Sequence, residues 1–131
     1  MEHREFVLSL SYGKDSLACL GAIKELGWPL TRIVHADVWA TDDIPADLSP
    51  MVAFKRNADK IIKDRYGIDV EHVHSGKTFE SVFYSVFRKS KSRNEQIYGF
   101  PALGRNWCNS MLKIAAIKAA KSSARNSIQY I

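Results

Sequence analysis

Apolar and polar positions along the chain predict short strands that alternate with helices. Residues 5–11 (EFVLSLS) and 32–38 (RIVHADV) are largely apolar, and residues 69–74 (DVEHVH) alternate with a period of two. Both patterns are typical of strands. A further apolar run near the end of the chain predicts a fourth strand. The four predicted strands span residues 5–11, 32–38, 69–74 and 127–131.

Apolar residues at helical spacing predict four helices between these strands. In the second helix the repeating residues are Met51, Phe54, Ala58, Ile61 and Ile62. Gly27 and Gly67 end the first two helices, and Thr78 caps the third. The four predicted helices span residues 16–26, 50–66, 78–87 and 109–122, and residues 90–106 are predicted to form a long polar loop.

The order of elements predicts the fold class. Strands that alternate with helices through short turns form parallel sheets, and 131 residues correspond to one domain. We therefore expect a single α/β domain over residues 1–131, Rossmann-like (HUP-type), with three α/β/α layers and a parallel sheet of about 4–5 strands. Such sheets bind ligands beyond the carboxyl ends of their strands. That rule indicates residues 11–16, residues 37–43 and the loop after the third strand.

Charge is distributed unevenly along the chain. The whole sequence carries 19 basic and 14 acidic side chains, and residues 77–131 hold 10 of the basic and 2 of the acidic ones. A basic half is typical either of a solvated surface or of a polyanionic partner such as a nucleotide, sulfate or nucleic acid. The densest basic cluster consists of Arg88, Lys89, Lys91 and Arg93.

The sequence shows no sign of export or membrane insertion. Glu2, Arg4 and Glu5 precede the first apolar run, which argues against a secretory signal. The apolar runs are far shorter than the about 20 residues that a membrane helix requires. Cys19 and Cys108 are too few for a disulfide scaffold and fit a reducing compartment. We expect a cytoplasmic protein with no membrane partner.

The segment Ser-Tyr-Gly-Lys-Asp-Ser at residues 11–16 joins the first strand to the first helix and has the features of an anion-binding loop. Gly13 permits close approach of a ligand and a positive φ, and Ser16 is placed to cap the helix. The helix N-terminus and Lys14 favour phosphate or sulfate, and Asp15 is suited to hold Mg²⁺ that bridges phosphates.

This segment resembles the PP-loop, SGGxDS, of the adenine-nucleotide α-hydrolase group. Within that group the chain is most similar to the phosphoadenosine phosphosulfate (PAPS) reductase family. Residues 35–41 (HADVWAT), residues 99–101 (GFP), residues 105–109 (RNWCN) and the pair Leu112-Lys113 follow in the family's order. The resemblance extends over residues 5–131.

The resemblance implies binding of an adenine nucleotide (PAPS, adenylylsulfate or ATP), with Mg²⁺ held by Asp15. The residues implied for the phosphate or sulfate groups are Ser11, Tyr12, Gly13, Lys14, Asp15 and Ser16. Those implied for adenine and ribose are Asp37, Trp39 and Thr41, and those for the far end of the anion are Arg105 and Lys113. The catalytic residues implied are Lys14, Asp15 and Cys108.

The sequence departs from the family in three respects. The second loop position, small in the family, is Tyr12, which either crowds the phosphates or swings aside and stacks. The nucleophilic cysteine of a C-terminal Glu-Cys-Gly-type tail is missing, so Cys108 is the candidate thiol. The paired cysteines of the adenylylsulfate branch are also missing, so we expect no iron–sulfur cluster. The chain therefore resembles a C-terminally short member of the family.

Three functions follow as alternatives. The first is an enzyme, an oxidoreductase or transferase that depends on the nucleotide. The second is a non-catalytic or inhibitory nucleotide-binding module that acts through a protein partner. The third is a nucleic-acid-associated sulfur-transfer protein that uses the basic half. A sheet edge at residues 127–131 would also permit a homodimer.

Two histidines are spaced as zinc ligands can be. His72 and His74 lie at i and i+2 of the third predicted strand, on one face. Because the sequence places no cysteine or acidic partner to complete a site with them, we expect no metal there. His35 lies within the second strand and is predicted to be a core histidine with satisfied hydrogen bonds.

Overall fold

Four parallel strands form one sheet in a computed structural model, which describes residues 4–87, 96–120 and 127–130. The spatial order is β3-β2-β1-β4, so the chain builds outward from β1 to β3 and then returns to the other side of β1. The predicted α/β class with a parallel sheet is thus confirmed. The strands are β1 (Glu5–Ser9), β2 (Arg32–Ala36), β3 (Val70–Val73) and β4 (Ser127–Tyr130).

The first two strands end two residues earlier than the apolar runs predicted. Leu10 and Val38 continue those runs, but each is apolar because it packs in a loop rather than in the sheet. Leu10 is 3% exposed and packs with the main core, and Val38 packs beside Val82 and Trp107. The predicted strands were therefore too long, because these buried loop residues continue the apolar pattern of the strands.

The helices begin close to their predicted starts, but two of them differ in extent or form. α3 stops at Phe83 instead of residue 87, since Ser85 and Phe87 hydrogen-bond through their backbones to Tyr98 and Gln96. The last predicted helix begins as a π-helix, Cys108–Ile114, and continues as an α-helix within the described residues. The α-helices are α1 (Lys14–Glu25), α2 (Ser49–Tyr66), α3 (Phe79–Phe83) and α4 (Ala115–Ala120). No helix in the described ranges has both the length and the apolar character needed to cross a bilayer.

The core lies between the sheet and the helices that cover it. Leu8 and Ile33 face α1 and α2, where they pack with Leu20, Ile23 and Ile62. α4 lies against β2 and β3 on the other face, where its Ala120 carbonyl accepts a hydrogen bond from Arg32. This packing fixes the carboxyl ends of β1, β2 and β3 side by side, and the candidate site is built there.

Candidate functional site

The loop between β1 and α1 is held by its two serine hydroxyls. The Ser11 and Ser16 hydroxyls lie 3.1 Å apart, and the Ser16 Oγ donates to the Gly13 carbonyl at 3.1 Å. The expected cap by Ser16 is wrong, because Gly13 is the N-cap of α1 and no side chain caps it. Within the described part of the chain, the backbone N–H groups of the first turn of α1 therefore have no side-chain cap, as is typical of helix ends that bind anions.

Lys14 and Asp15, the first residues of α1, are exposed at this helix end. Neither side chain makes a hydrogen bond or ion pair with the described part of the chain. The ammonium and the carboxylate that are expected to bind phosphate and Mg²⁺ thus have no partner among the described residues.

The positive φ in this loop belongs to Tyr12 and not to Gly13. Gly13 has a φ of −73°, which any residue can adopt, whereas Tyr12 has a φ of 61°. The prediction of a left-handed Gly13 is therefore wrong. The left-handed backbone turns the Tyr12 side chain under α2, where it is 3% exposed and its ring meets the His35 ring edge-on at 4.7 Å. Of the two alternatives for Tyr12, the structure shows the ring swung aside.

A hydrogen-bonded network of polar side chains begins at Tyr12. The Tyr12 hydroxyl donates to Asp59 of α2, and the other Asp59 oxygen lies 2.7 Å from Nε2 of His72. Nδ1 of His72 lies 3.1 Å from Asp37, just beyond β2. Burial and the bond to Asp59 raise the pKa of the Tyr12 phenol, so this hydroxyl remains a donor.

The charges within this network stabilise one another. Burial opposes ionisation of Asp37, but its contacts with His35 and His72 outweigh that effect and hold the pKa of the carboxyl below its usual value. Burial likewise opposes a charged His72, but the hydrogen bonds to Asp59 and Asp37 outweigh it and raise the pKa of the imidazole. His72 is thus stabilised as an imidazolium between two carboxylates.

His35 is buried as predicted, and both of its ring nitrogens have partners. Nδ1 donates to the Leu10 carbonyl at 2.7 Å, so Nε2 is the nitrogen that accepts from Nζ of Lys55 at 3.0 Å. Lys55 also donates to Asp47, and its side chain is 11% exposed. Because a buried ammonium is unfavourable without partners, these two contacts stabilise Lys55 in its buried position.

Two neighbouring cavities open at the strand ends. The Ser11 cavity, of about 370 Å³, is lined by residues that include Ser11, Cys108 and Lys113. The Trp39 cavity, of about 490 Å³, is lined by residues that include Asp37, Trp39 and His72. Lys55 and Asp47 line both, so the buried lysine separates the two spaces.

The structure brings some of the predicted site residues together and leaves others apart. Ser11, Cys108 and Lys113 meet at the Ser11 cavity, and Asp37 and Trp39 meet at the Trp39 cavity. Arg105 lines a third cavity of about 470 Å³ with Tyr98 and Trp107. Thr41 accepts a hydrogen bond from the Ile44 N–H at 3.2 Å within its own turn. The cluster Arg88, Lys89, Lys91 and Arg93 lies outside the described residues.

The sequence reasoning missed Asp47, Lys55 and Asp59. A signal for two of them was present, because Lys55 and Asp59 lie on the face of α2 that carries Met51 and Ile62, where apolar residues are expected. The expectation that no acidic partner is placed to complete a site with His72 is also wrong: Asp37 comes from the adjacent strand end and Asp59 from α2. Both acidic residues lie 13 or more positions from His72 in the sequence, so neither contact could be predicted from it.

We predict that Tyr12→Phe lowers the free energy of unfolding by about 1.5–3 kcal/mol, the usual cost of losing a hydrogen bond to a charged group. The substitution keeps the packed ring and removes only the donor to Asp59. Urea denaturation checks this, with Tyr84→Phe as the control because Tyr84 is 62% exposed. Equal free energies of unfolding for the two variants would show that the hydrogen bond from the Tyr12 hydroxyl to Asp59 does not stabilise the fold.

Comparison of the chain with known protein families, with curated proteins and with solved structures found no match.

Proposed function

We propose that this protein binds an adenine nucleotide, with the phosphate or sulfate groups at the loop of residues 11–16. The observation that carries the proposal is the free N-terminus of α1 beside the Ser11 cavity, with Lys14 and Asp15 exposed at it. A helix N-terminus attracts anions through its free N–H groups and its partial positive charge. The nucleotides in question are PAPS, adenylylsulfate and ATP.

The position of the loop in the sheet supports the proposal. The strand order β3-β2-β1-β4 reverses beside β1, and the loop follows β1 directly. In open parallel sheets, ligands bind where the strand order reverses. The same order occurs in the first strands of Rossmann-type sheets, which agrees with the HUP-type fold that the PP-loop resemblance implies.

The groups across the Ser11 cavity suit a nucleotide. Lys113 lines it from the π-helix and would add positive charge opposite the loop. Ser11 and Lys55 contribute further donors to the lining. On this proposal Asp15 holds Mg²⁺ at the phosphates, and Asp37 and Trp39 lie towards the nucleoside.

A catalytic version of this function would use Cys108. Its thiol is half-buried and lines the same cavity as Ser11. With PAPS, the thiolate would attack the sulfate sulfur, form an S–S bond and release adenosine bisphosphate as the S–O bond breaks. A low-molecular-weight thiol would then attack the Cys108 sulfur, release sulfite and form a mixed disulfide, and a second such thiol would restore Cys108.

The test is calorimetric titration of the full chain with ATP, PAPS and adenylylsulfate, with and without Mg²⁺. We expect micromolar binding of one nucleotide and its loss in Asp15→Ala, since that carboxylate would hold the bridging metal. Cys108→Ser is the matched control: it alters the cavity wall but no proposed phosphate ligand, so binding should persist.

Two results would overturn the proposal. One is the failure of all three nucleotides to bind a correctly folded chain. The other is binding that Asp15→Ala leaves unchanged. Tight, salt-dependent binding of nucleic acid with no nucleotide binding would instead favour the nucleic-acid-associated alternative.

A further inference from the structure

We infer that His35, Asp37 and His72 form a binding site for a divalent transition-metal ion, of the class that includes Zn²⁺ and Co²⁺. The three residues each offer one ligand atom, and these atoms all lie within 4.8 Å of one another. Two imidazoles and one carboxylate are a common ligand set for such ions. The site shares Asp37 with the proposed nucleoside contacts, but its two histidines do not belong to the loop of residues 11–16, and the inference does not rest on the nucleotide proposal.

The distances around Asp37 fit a shared ion. Nε2 of His35 lies 3.3 Å from Oδ1 of Asp37, and Nδ1 of His72 lies 3.2 Å from the same oxygen. Two atoms that each bind one ion at about 2.1 Å lie roughly 3.0–3.4 Å apart at angles between octahedral and tetrahedral. Both nitrogen–oxygen distances already lie in this range, and the two imidazole nitrogens lie within 4.8 Å of each other.

The ring nitrogens that face away from the proposed ion are already held. Nδ1 of His35 donates to the Leu10 carbonyl, and Nε2 of His72 lies 2.7 Å from Asp59. Metal-binding histidines usually donate their second N–H to a carbonyl or carboxylate in this way, which fixes the tautomer and the ring orientation. The ion would replace the proton on Nδ1 of His72, and Asp59 would keep its hydrogen bond.

Lys55 is the charged group that must adjust when an ion binds. Its Nζ contacts Nε2 of His35 and Asp47. Moving away from His35 leaves the ammonium paired with Asp47, so no charge loses its partner. Asp37 and His72 also line the Trp39 cavity, which would give water or a small ligand access to the remaining coordination positions.

The test is titration of the chelator-treated chain with Zn²⁺ by calorimetry and with Co²⁺ by visible absorption. We expect one ion per chain and Co²⁺ bands typical of four or five ligands. His72→Gln should weaken binding by at least about 100-fold, and Asp59→Asn by about 10- to 100-fold, as for other groups that orient a metal-bound histidine. Circular dichroism would verify that both variants fold.

His74→Gln is the matched control, because His74 lies just beyond the same strand and is exposed. It should leave the Zn²⁺ affinity unchanged. Absence of stoichiometric Zn²⁺ binding, or equal weakening by His74→Gln and His72→Gln, would overturn the inference. Because His72 is not among the proposed nucleotide contacts, nucleotide titration of the same variant separates the two proposals.

Discussion

Replacing Gly13 by alanine is expected to weaken nucleotide binding by at least about tenfold, or about 1.4 kcal/mol, with little effect on stability. Among the described residues, the added Cβ would meet only the Ser11 Oγ, at 3.4 Å, and a φ of −73° suits alanine. Alanine reduces the entropy of the unfolded chain, but it is a poorer N-cap than glycine, so the two effects oppose each other. We expect a change of less than about 1 kcal/mol in the free energy of unfolding. Neither backbone conformation nor packing therefore requires glycine at this position, so under the nucleotide proposal its role is to allow close approach of the phosphate groups.

Gly21→Ala is the matched control for this prediction. Gly21 lies on the same helix, and a Cβ there would meet no atom of the described residues within 4 Å. Alanine inside a helix should raise the free energy of unfolding by about 0.5–1 kcal/mol and leave nucleotide affinity unchanged. The measurements are urea denaturation and calorimetry on both variants. Unchanged nucleotide affinity in Gly13→Ala would contradict a phosphate-binding role for the loop.

Much of the fold follows from local patterns in the sequence. Strand and helix periodicities depend on neighbouring residues, so the four strands and the long second helix were predicted close to their observed bounds. The end of α3 was not predicted, because the backbone around Phe87 hydrogen-bonds to Gln96 and Tyr98, further along the chain, instead of continuing the helix. Such pairing depends on the tertiary fold and leaves no periodic signal.

The candidate site likewise has one part that the sequence predicts and one part that it does not. The loop of residues 11–16 is continuous in sequence, and its residue types alone indicated an anion. The Asp37–His72–Asp59 network joins a strand end, a neighbouring strand and a helix, and its members are 13 to 35 residues apart. The register that places His35 opposite His72 comes from strand pairing, which only the folded sheet reveals. Tyr12 connects the two regions, since its backbone belongs to the loop and its side chain to the network.

The second large effect is expected from Ile62→Ala, which should lower the free energy of unfolding by about 2–5 kcal/mol, the usual cost of emptying a buried isoleucine site. Ile62 is 4% exposed and packs from α2 into the core with Leu8 and Ile33. The neighbouring Ile61, which the helical pattern predicted to share that face, is 51% exposed. Ile61→Ala should therefore change stability by less than about 1 kcal/mol, since its lost contacts are offset by the higher helix propensity of alanine.

Urea denaturation of both variants, compared at equal protein concentration, tests this contrast between adjacent residues. A large loss for Ile62→Ala and a small one for Ile61→Ala would establish which side of α2 faces the sheet. That orientation also places Lys55 and Asp59 beneath the helix, so the polar network depends on it. Equal losses would mean that the exposed side of α2 is covered in solution, and a second copy of the chain would then be the first occupant to test by measuring the oligomeric state.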